Sequence, residues 1–348
     1  MTVGRIEAAL TRMWWREVRT PLAWGLWPLS ALFGAVLALR TLAYALGLRR
    51  VERAPVPVIV VGNLVAGGAG KTPSVIALVE DLRRAGWRPG VISRGHGRRG
   101  DGVDEVTAHS AAAAVGDEPL LIRRRSGVPV WVARRRIDAA RALCAAHTEV
   151  DVLVADDGLQ HLALARDVQL IVFDERGLGN GALLPAGPLR QPLPRYVPVN
   201  SHVLYNATRA STPWPGALAQ RRLAGAVRLR DWWHGAPPQP QALEALRGRA
   251  LWAAAGMAAP QRFFDMLRAA GLRFTPLALG DHHDFARLPW PADATDVVLT
   301  EKDAVKLSAA SDGATRIWVV TLDFQLPEDL SAALLDNLRR VQRRQDPP

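Results

Sequence analysis

Cysteine and lysine are the two shortages that most narrow what this 348-residue chain can be. The single cysteine, Cys144, excludes an intrachain disulfide framework and a cysteine-built metal site, and it fits a reducing compartment. Only Lys71, Lys302 and Lys306 are lysines, although Lys and Arg together number 44. A lysine in so arginine-dominated a chain is not there by compositional drift. Acidic residues are also in deficit, and the net charge of +11 points to an anionic partner: nucleotide, nucleic acid or anionic lipid. The arginines are scattered and no basic stripe is interleaved with aromatics, so a nucleic acid is not expected. No solenoid-type repeat appears. A hydrophobic content of 49% with 22% charged residues describes a folded chain, long enough for one large core or two smaller ones.

What the chain does carry is a β-branched run, Val58-Ile59-Val60-Val61, that enters a glycine cluster ending in Gly67-Gly68-Ala69-Gly70-Lys71-Thr72. This is the layout of a phosphate-binding loop. The glycines let backbone N–H groups curl around an anion, Lys71 reaches the outer phosphates, and Thr72 offers its hydroxyl to Mg²⁺. The full pattern has a glycine six residues before the lysine, where Val65 stands. Binding of a nucleoside triphosphate with Mg²⁺ is the first expectation.

Downstream, an apolar strand reads Val152-Leu153-Val154-Ala155 and ends in Asp156-Asp157-Gly158-Leu159-Gln160-His161. Carboxylates at the carboxyl end of such a strand are where these folds hold nucleotide-bound Mg²⁺. The pair invites a division of labour, one aspartate on the metal and one on its waters or on a catalytic group. Three weaker signals accompany it. Gly116-Asp117-Glu118-Pro119 is a turn with two carboxylates that reads equally well as a helix start. Asp281-His282-His283-Asp284 sets imidazoles beside carboxylates, an arrangement that can orient a base. Pro185-Ala186-Gly187-Pro188-Leu189-Arg190 is a rigid turn that could present a guanidinium to phosphate.

From Pro21 to Leu39 no residue is charged. As a helix this segment is about 28 Å long, close to the ~30 Å of a bilayer's hydrocarbon layer. Trp14, Trp15, Trp24 and Trp27 crowd its leading end, as at a lipid–water boundary. Both flanks are positive, so the charge rule gives no orientation. Arg40 and Pro28 interrupt an ideal span, and a shallow anchor is expected ahead of a crossing or a buried core helix. A cleaved export signal is disfavoured because export would strand the phosphate loop away from ATP.

Alternating strands and helices predict an α/β fold of P-loop NTPase-like type: a doubly wound parallel sheet, a second, smaller α/β domain and an N-terminal membrane-associated helix. Strands are expected at 89–93, 128–132, 150–155, 169–173, 249–255, 297–300 and 317–322, and helices at 73–85, 137–146 and 260–270. Composition shifts suggest the boundaries. Residues 1–50 form the membrane-associated segment, 51–205 the nucleotide-binding core, 206–245 a two-stranded linker, and 246–348 the smaller domain.

The motifs GNLVAGGAGKTP, SRGHGR, GDEP, DDGLQH, GNGALLPAGPLR, DHHDF and TEKDAVK follow one another between about residues 60 and 306. As a set they resemble the tetraacyldisaccharide 4'-kinase family of lipid A biosynthesis. The resemblance implies transfer of the ATP γ-phosphate to the 4'-hydroxyl of a lipid-linked disaccharide 1-phosphate. The setting it implies is the cytoplasmic face of the inner membrane; a monomer acting without nucleic acid is expected. It implies Asp117 as general base with His282 as its histidine partner, His283 being the close rival. It assigns Lys71 and Thr72 to phosphate and Mg²⁺, Asp156 and Asp157 to the acidic pair near the metal, and Arg190 and Arg136 to the phosphates. One departure is Gln191, where the family usually has glutamate. The competing reading is a membrane-recruited regulatory P-loop ATPase with no phosphorylated product. Such proteins usually carry a second lysine early in the loop, where this chain has Ala66.

Overall fold

The β-branched run before the glycine cluster forms strand Val58–Gly62, buried along its whole length. The computed structural model describes residues 3–16, 18–281 and 283–345. By chain packing these residues divide into two units, 1–94 with 135–220 and 326–348, and 95–134 with 221–325.

In the first unit, Val58–Gly62 pairs in parallel with Val152–Asp156 on one side and Val168–Asp174 on the other. The register puts Val61 opposite Asp156, which brings the acidic strand end level with the start of the loop. Pro89–Ser93 extends the sheet beyond Val152–Asp156, and Ser201–Asn206 and then Ala217–Leu218 extend it beyond Val168–Asp174. Strands buried on both faces read as continuous apolar runs, which is why the central ones were legible in sequence. Ser201–Asn206 was not expected, because Ser201 and His202 mask it. It is held by its ladder and by stacking of Tyr205 on Phe173 at 5.9 Å between ring centroids.

Helix Lys71–Arg84 follows the loop directly and packs on the sheet. The C-terminal helix Glu328–Gln345 belongs to this unit as well. Its buried Leu330, Leu334 and Leu338 recur every four residues, the spacing of one helix face. Ser331 hydrogen-bonds Asp81 on helix Lys71–Arg84, and Asn337 meets His202 at 2.9 Å.

The N-terminal segment forms helices Val3–Trp14 and Pro21–Ala45. Thr20 caps the second helix and Pro21 opens it, the position where a missing N–H does no harm. Few of its side chains are buried: Leu32 is 62% exposed and Leu39 66%. Its inner face is pinned by Ser30, whose hydroxyl donates to the Leu183 carbonyl and accepts from the Ala186 N–H, both at 2.9 Å.

The second unit is built on strands ordered Phe274–Ala278, Leu251–Ala255, Asp296–Thr300, Arg316–Gln325 and Gln220–Arg228. The first four pair in parallel. Helix Pro260–Ala269 buries Phe263, Phe264 and Leu267 against this sheet. Asp104–Glu105 pairs antiparallel with Val130–Val132, and helix Asp117–Ser126 lies between them in the chain; all three fall within residues 95–134 of this unit.

The α/β class stands, but the expected contiguous boundaries 51–205, 206–245 and 246–348 do not match this division. Residues 95–134 pack with the second unit although they lie inside the expected core, and residues 326–348 return to the first. Composition marks a linker where polar residues cluster; it carries no record of which distant segment a helix packs against. The expected ribbon is also different. Gln220–Arg228 is a strand whose sheet neighbour is Arg316–Gln325, nearly a hundred residues later. Leu229–Trp233, inside the expected two-stranded linker, is a short helix.

Candidate active site

Two groups of chemistry-bearing side chains emerge, one within each unit. The first is the phosphate loop and what surrounds it. Gly67, Gly68, Ala69 and Gly70 form the turn between strand and helix, with φ of 88° at Gly67 and 94° at Gly70. Lys71 and Thr72 are the first residues of the helix, so its unpaired N–H groups and positive end face the loop. The loop is fastened from several sides. The Asn63 side-chain amide donates to the Gly67 carbonyl at 3.1 Å, Arg176 to the Gly68 carbonyl at 2.7 Å, and Asn206 to the Ala69 carbonyl at 3.3 Å. On its far side the Ala66 N–H donates to the Pro188 carbonyl, and the Arg190 N–H to the Leu64 carbonyl.

Asp156 ends its strand, 1% exposed, with one carboxylate oxygen accepting from the Ser93 hydroxyl at 3.2 Å. Asp157 follows at φ 46°, a left-handed conformation uncommon outside glycine, and turns its carboxylate to the cations. Lys71 Nζ lies 3.7 Å from it, and Arg190 donates to both its oxygens at 3.1 Å. Lys71 also donates to Asn63 Oδ1 at 3.4 Å. Arg136, at the start of helix Arg136–Ala146 and almost fully buried, donates to the carbonyls of Asp156 and Asp157 at 2.9 and 2.6 Å. Burial alone would raise the Asp157 carboxyl, but Lys71, Arg190 and Arg136 outweigh it and hold it below the usual value. His161 is pushed down to about 4, first by burial and then by Arg136, Arg166, Arg40 and Arg94, so it is neutral at pH 7. Gln160 reaches back to the Asn63 carbonyl and donates to Gln191 at 3.2 Å, which accounts for Gln191 as a hydrogen-bond acceptor beside the loop.

The second group lies in the other unit. Asp117 and Glu118 open helix Asp117–Ser126. Lys306 Nζ is 3.7 Å from Asp117 Oδ2 and 3.2 Å from Asp303 Oδ1. Lys302 bridges Glu118 at 3.3 Å and Asp281 at 3.0 Å. Burial would lower the Lys302 ammonium, but Glu118, Asp281 and Asp117 hold it above its usual value. Asp117 and Lys306 line a cavity of about 770 Å³ with His96, Arg99, His109 and Trp233 on its other walls. His282 lies outside the described residues. His283 packs edge-on against Phe285 at 4.9 Å, and its Nε2 is buried with no hydrogen-bond partner among the described residues.

Every expected loop and strand-end residue, from Gly67 to Thr72 with Arg136, Asp156, Asp157 and Arg190, is therefore gathered in the first unit. Asp117 is gathered with the two remaining lysines in the second. Sequence reasoning missed Asn63, Gln160, Asn206 and Arg176, which act through backbone carbonyls and leave no spacing signal. It also left Lys302 and Lys306 without a role, although their rarity marked them. Among the described residues no cluster of three or more His, Cys, Asp or Glu side chains could hold a metal by itself. The Thr72 hydroxyl and the Asp156 carboxylate are oxygen donors of the kind Mg²⁺ takes when phosphate and water supply its other ligands.

Comparison with known proteins follows the same outline. The family described as LpxK, tetraacyldisaccharide-1-P 4'-kinase, matches residues 22–339. A tetraacyldisaccharide 4'-kinase of Methylibium petroleiphilum is 55% identical over 336 residues, covering 95% of this chain and 93% of the relative. One of Leptothrix cholodnii is 53% identical over 339 residues, covering 96% and 97%. Among solved structures, an "apo" form of LpxK from Aquifex aeolicus in complex with ATP superposes with a TM-score of 0.73 at 25% identity, covering 91% of this chain and 99% of that one.

Proposed function

The chain belongs to the tetraacyldisaccharide-1-P 4'-kinase family of lipid A biosynthesis, and we propose that its two side-chain groups divide the phosphoryl transfer between them. The loop group takes the donor, ATP. Lys71 and Arg190 meet the outer phosphates, and Arg136 braces the strand end that carries both aspartates. Thr72 and Asp156 offer oxygens to Mg²⁺, which when bound neutralises phosphate charge. Asp157 is the catalytic partner in this group, already ionised and already between two cations. The observation that carries the reading is this convergence of Lys71 and Arg190 on one carboxylate, since an anionic phosphate entering there finds both cations preplaced.

The second group takes the acceptor. Asp117 accepts the proton of the 4'-hydroxyl as the new O–P bond forms and the bridging P–O bond to ADP breaks. His282 is its proposed partner. The cavity beside Asp117 offers imidazole, guanidinium and indole groups to a phosphorylated sugar. Helix Pro21–Ala45 is long and apolar enough to cross a membrane, and only 11% of its most apolar stretch is buried. Its exposed leucines and tryptophans suit a seat in the cytoplasmic face of the inner membrane, which brings the enzyme to an acceptor that cannot leave the bilayer. A monomer is the proposed acting form.

Incubation with γ-labelled ATP, Mg²⁺ and the tetraacyldisaccharide 1-phosphate tests the reading. Label is expected in the lipid, at the 4' position. ATP hydrolysis that leaves the lipid unlabelled would overturn it in favour of a regulatory ATPase.

A further inference from the structure

The segment Thr300-Glu301-Lys302-Asp303-Ala304-Val305-Lys306 holds two of the three lysines, spaced four residues apart. That spacing puts them on one face of a helical turn. Opposite them stand two consecutive carboxylates, Asp117 and Glu118, at the start of helix Asp117–Ser126. The pairing is lysine for carboxylate: Lys306 with Asp117, Lys302 with Glu118.

The two bridges are anchored differently. Lys302 shares its charge with Asp281 near the surface of the unit. Lys306 is 8% exposed, as is the Asp117 side chain, and its second partner Asp303 is fully buried. Asp303 is itself fixed. Its Oδ2 accepts from the Gly256 N–H at 2.9 Å and from the Thr300 hydroxyl at 2.7 Å, while its own N–H donates back to Thr300 as a helix cap. The close approach needs glycine at 256, where a Cβ would come within 2.7 Å of Asp303 Oδ1. The Phe285 ring closes the other side of the ammonium at 5.7 Å. The result is a chain of fixed contacts, Gly256 to Asp303 to Lys306 to Asp117, that ends at the wall of the 770 Å³ cavity.

An ammonium so confined does two things to a carboxylate. It restricts its orientation, and it favours its ionised form. Both are what a proton acceptor needs before the acceptor hydroxyl arrives. We propose that Lys306, held by Asp303, is a positioning residue for the Asp117 carboxylate. The inference rests on the reading of Asp117 as the general base. Lys306 touches no reacting atom in this account; its effect passes through Asp117.

The test compares Asp117→Asn, Lys306→Met, Lys306→Arg and Asp303→Asn in the full-length enzyme, measuring kcat, KM for ATP, thermal midpoint and the pH dependence of kcat. Lys306→Met is expected to lower kcat by about a hundredfold, the cost of a misplaced reacting group, with KM for ATP changed less than about threefold. Among the described residues the titratable and charged groups nearest Asp117 are Lys306 with Asp303, Lys302 with Glu118, and His96, Arg99, His109, His234 and Asp284 on the cavity wall. Loss of the nearest cation should move the acid limb of kcat to higher pH by about one unit. Lys306→Arg, which keeps the charge, should recover most of the rate, and Asp303→Asn should fall between.

If Asp117→Asn is inactive while Lys306→Met keeps kcat and the acid limb of the wild type, the inference is overturned and the base assignment stands. If Asp117→Asn keeps wild-type kcat, the base assignment falls first. Should Lys306→Met fail to melt cooperatively, Lys306→Arg and Asp303→Asn decide. A displaced acid limb in Asp303→Asn with a normal one in Lys306→Arg supports the inference, and unchanged profiles in both overturn it.

Discussion

A Cβ placed on Gly70 would lie 2.2 Å from the side-chain nitrogen of Asn206. The glycine that precedes Lys71 is thus fixed twice, by its φ of 94° and by a residue from a strand more than a hundred positions away. Gly70→Ala should destabilise the protein by roughly 2–3 kcal/mol through strain and displaced Asn206. It should also weaken ATP binding, because the loop's N–H groups can no longer converge. Calorimetric titration with an ATP analogue and thermal melting would measure the two effects; an unchanged midpoint would contradict the close contact.

Lys71→Ala should abolish transfer, and it should also change how stability responds to acid. The Asp157 carboxyl is held below 3.8 in the folded state, so its contribution is present above that pH and is lost as pH falls through the folded value. Without Lys71 the depression shrinks. Urea titrations from about pH 6 to pH 3 should show a shallower acid loss in the variant, relative to its own neutral value, than in the wild type.

His161 acts in the same direction, in a higher pH window. Its imidazole is lowered from 6.5 to about 4, so below pH 6.5 the unfolded chain binds a proton that the folded chain refuses. Stability should therefore fall as pH drops through that window and level off below it. His161→Gln should flatten the thermal midpoint over the same interval, and an unchanged slope would mean that neither burial nor the surrounding arginines keep the proton off His161.

Asp117→Asn should reduce turnover by at least about a hundredfold, the usual contribution of a general base, and leave ATP affinity near the wild type. A variant whose main defect was ATP binding would place Asp117 among the nucleotide or metal contacts.

Leu32→Glu combined with Leu39→Glu should leave the thermal midpoint close to wild type, because both side chains are exposed. Each charge would cost about 2.5–3.5 kcal/mol in a bilayer centre and less in the interface. Vesicle co-sedimentation should fall at least about tenfold. Undiminished pelleting would assign membrane contact to another surface.

Strands buried on both faces, the glycine turn, the acidic strand end and the long apolar helix were all legible in sequence, because each is written in contiguous residues: a β-branched run, a glycine cluster, Asp156-Asp157, an uncharged stretch. Ordered motifs were enough to indicate the family and hence the chemistry. What tertiary structure decided is everything that depends on pairing across the chain. Helix Asp117–Ser126 packs with residues beyond 300 as well as with its neighbours in sequence, and the C-terminal helix returns to the first sheet. Asn206 meets the loop, and Arg190 meets Asp157. The rarity of lysine was visible from the start, but a composition has no partners in it. Only the fold shows that Lys71 lies beside Asp157, whereas Lys302 and Lys306 stand against Glu118 and Asp117, because a charge acts on what is within a few ångströms of it and sequence distance does not record that.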